Sequence, residues 1–417
     1  MDFAIPPEIE SYLAELDAFI EREIRPLENE NRQYFDHRRE HARTNWDDDG
    51  KPRREWEDLL GEMRRRADKA GHLRFALPRE LGGRDGSNLA MAIIREHLAH
   101  KGLGLHNDLQ NESSIVGNFP QVILMHRFGT EAQKARFLEA MITGEEAVAF
   151  GLTEPNHGSD ATWLETTAVR DGGDWVINGQ KRFNTGLHRA TTDLIFARTS
   201  GQPGDARGIT AFLVPTRAPG FEVPFMWWTF NMPSDHAEVR LTNVRVPDEA
   251  RLGGEGEGLR VAQAFIYENR IRQAASSVGA AQYCIDQSVA YARKRVTFGQ
   301  PLATNQAIQF PLAELHTECE MVRGLVRRAA WHLDRKHHLE VSDLVSMANY
   351  RANRLVCNAA DQAIQVHGGV GYSRHYPFEH IYRHHRRYRI TEGSEEIQIR
   401  NVAGHLFGFM GKGRKAQ

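Results

Sequence analysis

The spacing of apolar residues changes twice along this chain, and that double change limits the folds open to it. Over residues 8–24, Ile9, Tyr12, Leu13, Leu16, Phe19, Ile20 and Ile24 recur at helical intervals and share one face. Helical patterns return near Trp56–Ala70, Leu89–His100 and Glu131–Met141, with LPRELGGRDG (77–86) as a loop between two of them. Between 166 and 247 the period shortens. TTAVR (166–170), DGGD (171–174) and WVIN (175–178) read as strand, turn and strand. DLIFAR (193–198), GITAFLVP (208–215) and AEVRLTNVRVP (237–247) read as further strands between Gly and Pro breaks. From 259 the helical period resumes in long segments, 259–295, 302–337 and 341–366, with Pro311 a kink or boundary. Long consecutive helices suggest a four-helix bundle. The expected fold is α+β: an N-terminal helical domain (1–147), a central β domain (148–254) and a C-terminal four-helix bundle (255–417).

A chain of 417 residues exceeds the usual span of one core, which agrees with several domains. Its net charge of −2 lacks the basic excess of a general nucleic-acid binder. Cys284, Cys319 and Cys357 fall in helical stretches without metal-ligand spacing, so they read as reduced, buried thiols of a cytoplasmic protein. MDFAIPPEIE has neither the basic region nor the apolar core of a signal peptide. No apolar run approaches the roughly 18 residues of a membrane span. The tail GKGRKAQ (411–417) reads as a frayed basic end. Residues 36–55, DHRREHARTNWDDDGKPRRE, are charged and nearly free of apolar residues, and read as a solvated loop or insertion. A metal could be drawn between His37, His41 and Asp47–Asp49, but a run of mixed sign reads first as wet surface.

Several short stretches carry chemistry. GLTEPNHGSD (151–160) offers free backbone N–H groups and the hydroxyls of Thr153 and Ser159, which can cradle a pyrophosphate; it reads equally as a domain-linking turn. In NGQKRFNTG (178–186), Phe183 and Thr185 share one face of a strand, as covering a flat ring and bonding its edge would require; core packing is the alternative. GGEGEGL (253–259) lacks the following βαβ unit of a dinucleotide fingerprint and reads as a hinge. RKRVTFGQ (293–300) and QVHGGVGY (365–372) read singly as helix ends. RITEGSEEIQIR (389–400) holds three glutamates. Glu395 and Glu396 suit a first helical turn after Gly393 or Ser394 as N-cap. Glu392 precedes the cap, where the chain turns and a side chain can enter a cleft.

Together, in this order and spacing across roughly 120–405, these stretches resemble the acyl-CoA dehydrogenase family: TEPxxGSD, NGxKxFxTG, RxTFGxxxxxxQ, QxxGGxGY and EGxxxIQ. The resemblance implies an FAD enzyme, its cofactor extended between the β domain and the bundle. Phe150, Leu152, Thr153, Gly158 and Ser159 would hold flavin and pyrophosphate. Phe183, Asn184 and Thr185 would flank the isoalloxazine ring. Arg295, Thr297, Phe298, Asn305, Gln306, Gln365, Gly368 and Gly369 would complete the adenosine half for a neighbouring subunit of a tetramer or dimer. Ser394 and Glu396 would also touch FAD. The substrate site would include Ser159, Arg270, Thr391 and Gly393. Glu392 matches the catalytic base, which takes the proton beside the thioester carbonyl while the β-hydrogen leaves as hydride to the flavin. Burial would raise the carboxylate's pKa towards neutrality, and the Glu392 backbone N–H would help to stabilise the thioester oxygen. Some relatives place the base at the position of Asn269, which cannot serve; the adjacent Glu268 reads as structural.

Thr391 stands where many straight-chain members carry an aromatic, which would widen the acyl pocket. RHHRRYR (383–389) is unusually basic and would either meet CoA phosphates or form a solvated helix face; adjacent His384 and His385 diverge on a helix and make a poor metal site. The resemblance implies an acyl-CoA substrate, a trans-2-enoyl-CoA product of the fatty acid β-oxidation type, and an electron-transferring flavoprotein as acceptor. The competing readings are an acyl-CoA oxidase using oxygen and a DNA-binding or scaffold flavoprotein of the same fold. The second rests only on the basic 383–389 stretch.

Overall fold

The computed structural model of the protein describes residues 4–36, 42–107 and 113–409. His37, His41 and the 411–417 tail lie outside the described residues, as does the side chain of Glu268. In chain order the helices are α1 (Pro7–Phe19), α2 (Arg25–Glu30), α3 (Arg54–Lys69), α4 (Asn88–His100), α5 (Pro120–Phe128), α6 (Glu131–Thr143), α7 (Gly258–Lys294), α8 (Gln306–Leu333), α9 (Ser342–His367), α10 (Phe378–Arg386) and α11 (Glu395–Leu406). The strands are β1 (Thr44–Asn45), β2 (Lys51–Pro52), β3 (Val148–Gly151), β4 (Thr167–Asp171), β5 (Asp174–Thr185), β6 (Thr192–Arg198), β7 (Ile209–Pro215), β8 (Phe221–Glu222), β9 (His236–Pro247), β10 (Val296–Thr297) and β11 (Gln300–Pro301). Two compact units result, one from 1–40, 66–118 and 267–417, the other from 41–65 and 119–266. Among the described residues, no helix is long and apolar enough to cross a membrane.

In the helical unit, small residues set the packing. Ala274, Ala275, Ala280 and Ala281 of α7 share one buried cluster with Ala329 and Ala330 of α8 and Ala352, Ala359, Ala360 and Ala363 of α9. Alanine costs no side-chain entropy and lets helix axes approach closely. At Gly279 even a methyl group would overlap the Glu96 carbonyl of α4. The three cysteines are free and buried, and burial raises their thiol pKa values, that of Cys357 to about 11. The amphipathic face at 8–24 forms as read, with one addition. Ile20–Ile24 is a π turn between α1 and α2, and its extra residue per turn keeps Phe19, Ile20 and Ile24 all buried.

The second unit is built on a seven-stranded sheet, β3-β6-β4-β5-β9-β8, with β7 antiparallel to β6. Alternation puts Trp175 and Ile177 of β5 and Val239, Leu241, Val244 and Val246 of β9 into its core. The ladder between β5 and β9 shifts register twice, between Ile177 and Gly179 and between Arg182 and Asn184. The second irregularity leaves Phe183 with φ 61°, a left-handed conformation uncommon outside glycine.

Three expectations are corrected. The boundary reading of Pro311 is corrected: 302–304 is a 3₁₀ turn, and α8 begins at Gln306 and runs through Pro311. The proline sits in the second turn, where only one i−4 bond is lost, and the Asn305 side chain caps the start by accepting from Ala307 N at 2.9 Å. The charged 36–55 stretch is not merely a wet loop. Its described part forms the β1–β2 hairpin with Arg43 and Thr44 buried, the Arg43 guanidinium lying 4.2 Å from the Trp56 ring centroid. The tip is bonded to the loop before β9: Ser234 N donates to Gly50 O at 2.8 Å, and Trp228 Nε1 to Asp49 O at 3.0 Å. The basic 383–389 stretch is not a solvated face either. His384 and His385 of α10 are buried, and Arg383 and Arg389 are paired with Glu379 and Glu395.

Gly279→Ala is expected to lower unfolding stability by about 1–3 kcal/mol, the range for forcing atoms into a packed interior. Urea denaturation of the purified protein checks this.

Candidate active site

The chain reverses sharply between a 3₁₀ turn at Arg387–Arg389 and α11. Two successive left-handed residues make the turn, Glu392 (φ 57°) and Gly393 (φ 88°). A glutamate rarely adopts this conformation, and its surroundings must hold it there. The restraint is Arg270 of α7, whose Nε and Nη2 donate to the Glu392 carbonyl at 2.8 and 2.5 Å. Gly393 is required twice over: by its φ, and because a Cβ there would stand 2.7 Å from Arg270 Nη2. Gln398 Nε2 donates to Gly393 O at 2.9 Å, closing the turn from α11. Arg270, expected at the substrate, is thus seen fixing the residue expected to act as base.

The other two glutamates divide as the pattern suggests. Glu396 is exposed. Glu395 is buried and takes paired hydrogen bonds from Arg354 and Arg389, at 2.9–3.2 Å. Arg389, then Arg354, hold its pKa down to about 2, so it remains ionised and structural. Ser394 is the N-cap residue, but its side chain makes no capping bond. Beneath the turn, Asn349 Nδ2 donates to Arg270 O at 2.7 Å, and Asn353 Nδ2 to Tyr388 O at 3.0 Å. Ser277 donates to Asn353 Oδ1 at 2.8 Å and lies 3.1 Å from His385 Nδ1. Burial, then nearby Arg387, lowers the His385 pKa to about 3, so this histidine is a neutral packing element. Thr391 Oγ1 is buried with no hydrogen-bond partner among the described residues.

In the sheet unit, the TEPNHGSD loop follows β3 and is held from below by a pair not singled out in the sequence. Lys181 and Glu154 are buried and bonded at 2.7 Å. Lys181 Nζ also donates to Leu152 O at 3.3 Å, and Glu154 accepts from Thr166 N and Glu165 N at 2.9 and 2.5 Å. Burial opposes the charge on Glu154, but the ammonium and the N–H donors outweigh it and lower its pKa. Glu154 and Lys181 stand in the sequence as the E of TEP and the K of NGxK. Above this anchor Gly158 and Ser159 are exposed; a Cβ at Gly158 would meet nothing nearer than Thr153 Cγ2 at 3.9 Å. Phe150 is stacked on Phe265, with ring centroids 4.5 Å apart.

Along β5, Phe183 and Thr185 are exposed while Asn184 between them is fully buried. Thr185 Oγ1 lies 3.0 Å from His236 Nδ1. The Asn184 side chain is turned away from the exposed pair and donates to Asp193 Oδ2 at 2.5 Å. Only its backbone is left for a ligand on that face. Burial raises the Asp193 pKa to about 7, against the pull of Asn184 and Lys181.

The remaining expected cofactor residues belong to the helical unit. Arg295, Thr297 and Phe298 lie at or beside a two-residue hairpin after α7, with Phe298 (φ 50°) fully exposed. Asn305 and Gln306 start α8, and Gln365, Gly368 and Gly369 lie at the exposed end of α9. A Cβ at Gly368 or Gly369 would meet nothing within 4 Å. In the sheet unit an exposed ring and hydroxyl suit a flat ring system; in the helical unit open glycine backbone and an exposed aromatic suit a nucleotide end. FAD fits this donor set.

Three family models match the chain: acyl-CoA dehydrogenase N-terminal domain (residues 6–145), middle domain (149–244) and C-terminal domain (256–407). An acyl-CoA dehydrogenase of Bacillus subtilis (strain 168) is 34% identical over 341 residues, covering 82% of this chain and 88% of that protein. The CarC subunit of the caffeyl-CoA reductase–Etf complex of Acetobacterium woodii is 32% identical over 339 residues, covering 81% and 87%. Among solved structures, butyryl-CoA dehydrogenase from Megasphaera elsdenii superposes with TM-score 0.77 at 28% identity, covering 98% of this chain and 100% of that one.

Asp193 generates a pH prediction. The folded chain holds this proton up to about 7, whereas an unfolded aspartate loses it near ~3.9. Its contribution to stability is therefore full below the unfolded value and is lost as pH rises through the folded one. Asp193→Asn keeps an acceptor for Asn184 and removes the titration. The melting temperature of the variant relative to wild type is expected to climb between about pH 4 and about pH 7 and to level off above that.

Proposed function

The chain belongs to the acyl-CoA dehydrogenase family, FAD-dependent enzymes that act on the CH–CH bond of acyl-CoA thioesters, and from that premise we propose that Glu392 is its catalytic base. The observation that carries the reading is the double hydrogen bond from Arg270 to the Glu392 carbonyl, which keeps a glutamate in left-handed backbone geometry. Holding a side chain in a sparsely populated conformation costs about 1–3 kcal/mol, which fits a residue whose direction serves a purpose other than packing. Glu395 is held ionised in a double pairing with Arg354 and Arg389, and Glu396 sits on an exposed helix face, so neither competes for the role.

FAD supplies the two-electron acceptor when bound. In the sheet unit Thr153, Ser159, Phe183 and Thr185 would hold its flavin and pyrophosphate; Arg295, Phe298, Gln365 and the Gly368–Gly369 backbone of the helical unit would complete the adenosine half for a neighbouring subunit. Glu392 would take the α-proton of the thioester. Its backbone N–H, presented by the same turn, would face the carbonyl oxygen as charge develops there. Thr391 would line the acyl pocket with a hydroxyl that a polar acyl group can satisfy. An electron-transferring flavoprotein is the proposed acceptor, in line with the Etf-complex subunit among the relatives. A homo-oligomer, dimer or tetramer, would cover the exposed Phe298, Phe407 and Phe409.

The test is a panel of saturated and enoyl-CoA thioesters, with straight, branched, aromatic and hydroxylated chains. It is assayed with ferrocenium as acceptor and under air for peroxide, which an oxidase would release. Glu392→Gln is expected to retain flavin and lose turnover by about 10²–10⁴-fold. Full activity in that variant would remove the assigned base. Gly393→Ala is expected to cut turnover by about tenfold or more through displacement of Arg270, since a misplacement of one ångström costs that much and more.

A further inference from the structure

A line of side chains in the helical unit leads from a guanidinium to the carboxylate of Glu392. Arg272 donates through Nη1 to Asn118 Oδ1. Asn118 Nδ2 donates to Asn269 Oδ1 at 2.8 Å, and Asn269 Nδ2 donates to Glu392 Oε1 at 3.4 Å. Asn269 and Arg272 are buried, and Asn118 is half-buried.

The polarity of this line is dictated at its root. A carboxamide can face either way, presenting its oxygen or its NH₂ group. A guanidinium has donors and no acceptor, so the Asn118 oxygen must face Arg272. That leaves the Asn118 NH₂ group for Asn269, whose oxygen must therefore face Asn118. Asn269 then has only its NH₂ group to offer Glu392. Were either amide reversed, two oxygens or two NH₂ groups would meet at a buried junction, at the cost of unsatisfied polar groups.

We propose that Arg272, Asn118 and Asn269 form a one-way donor relay that delivers an amide N–H to Glu392 and holds its carboxylate in the ionised, proton-accepting form. This rests on the reading of Glu392 as the base. A hydrogen bond to the charged form of an acid favours that form, while burial opposes it. A neutral amide at 3.4 Å offers modest help and leaves the oxygen able to take a proton; a guanidinium in direct contact would hold the proton off too strongly. The charge of Arg272 instead acts two amides away, as an orienting group. Among the described residues, Arg270 is engaged on the Glu392 carbonyl, and Arg354 and Arg389 on Glu395. Asn118 and Arg272 are positioning residues in this scheme, and Asn269 is the one that touches the base.

The test reads the ionisation of Glu392 without any substrate. Flavin-loaded protein is labelled with [δ-¹³C]glutamate, and the Glu392 carboxyl resonance is assigned by its loss in Glu392→Gln. Asn118→Asp keeps an acceptor for Arg272 but cannot donate to Asn269, which must then turn its oxygen towards Glu392. Asn269→Ala removes the relay's terminal donor without adding charge. Both variants are expected to move the Glu392 titration midpoint upward by about 0.5–1 pH unit, the size of one modest hydrogen bond. Melting temperature and flavin content report separately on folding. An unchanged midpoint in folded Asn269→Ala would overturn the relay, whatever Asn118→Asp does. Retained turnover in Glu392→Gln would instead overturn the base assignment, so the two failures are distinguishable.

Discussion

Two hydrogen bonds from Arg270 to the carbonyl of Glu392 hold the candidate site in shape. The turn they close contains two consecutive left-handed residues, and only the second is glycine. Without the guanidinium, the glutamate would relax to an ordinary backbone conformation and its side chain would leave its present direction. Everything packed behind the clamp serves to keep Arg270 still. Asn349 holds the arginine's own carbonyl, Gln398 bridges Asn349 and Gly393, and Asn353 ties the Tyr388 carbonyl to the same group. A buried polar network is costly unless its members are satisfied, and when satisfied it admits few alternative packings.

The sheet unit uses a different device for the same purpose. The TEPNHGSD loop is irregular and exposed at the tip, so it is not held by a backbone ladder of its own. A buried lysine–glutamate pair holds it from beneath. Breaking such a pair by removing one partner strands a buried charge, which is more damaging than the modest net worth of the intact pair. The loop is thus fixed from the protein side, while Gly158 and Ser159 at its tip stay exposed.

Periodicity made most of the architecture legible. The strands read at 166–170, 193–198, 208–215 and 237–247 fall within a residue or so of β4, β6, β7 and β9, the strand read at 175–178 is only the first third of β5, and the long helix read at 259–295 is α7. Those segments carry enough apolar residues to show their period. The burial of α10 was misread because its inward face is built from His384 and His385 as well as Phe378 and Ile381, which looks basic in a sequence and is buried in the fold. The 42–53 hairpin was misread for the same reason: its anchor is Asp49 and Gly50 bonded to a distant loop, with no hydrophobic run. At the site, Glu392 and Gly393 were legible as a motif, but the partners that shape them were not. Asn118 and Asn269 are 151 positions apart, and nothing local in either stretch announces the contact.

Exchange at the α-carbon isolates the act assigned to Glu392 from every later step. An acyl-CoA analogue that carries α-hydrogens and lacks β-hydrogens can lose a proton but cannot be oxidised. Incubated in D₂O with the flavin-loaded protein and followed by proton NMR, it should take up deuterium at the α-carbon with wild type. It should take up essentially none with Glu392→Gln, even though the variant binds it equally well. Exchange at the wild-type rate in the variant would show that another group removes the proton.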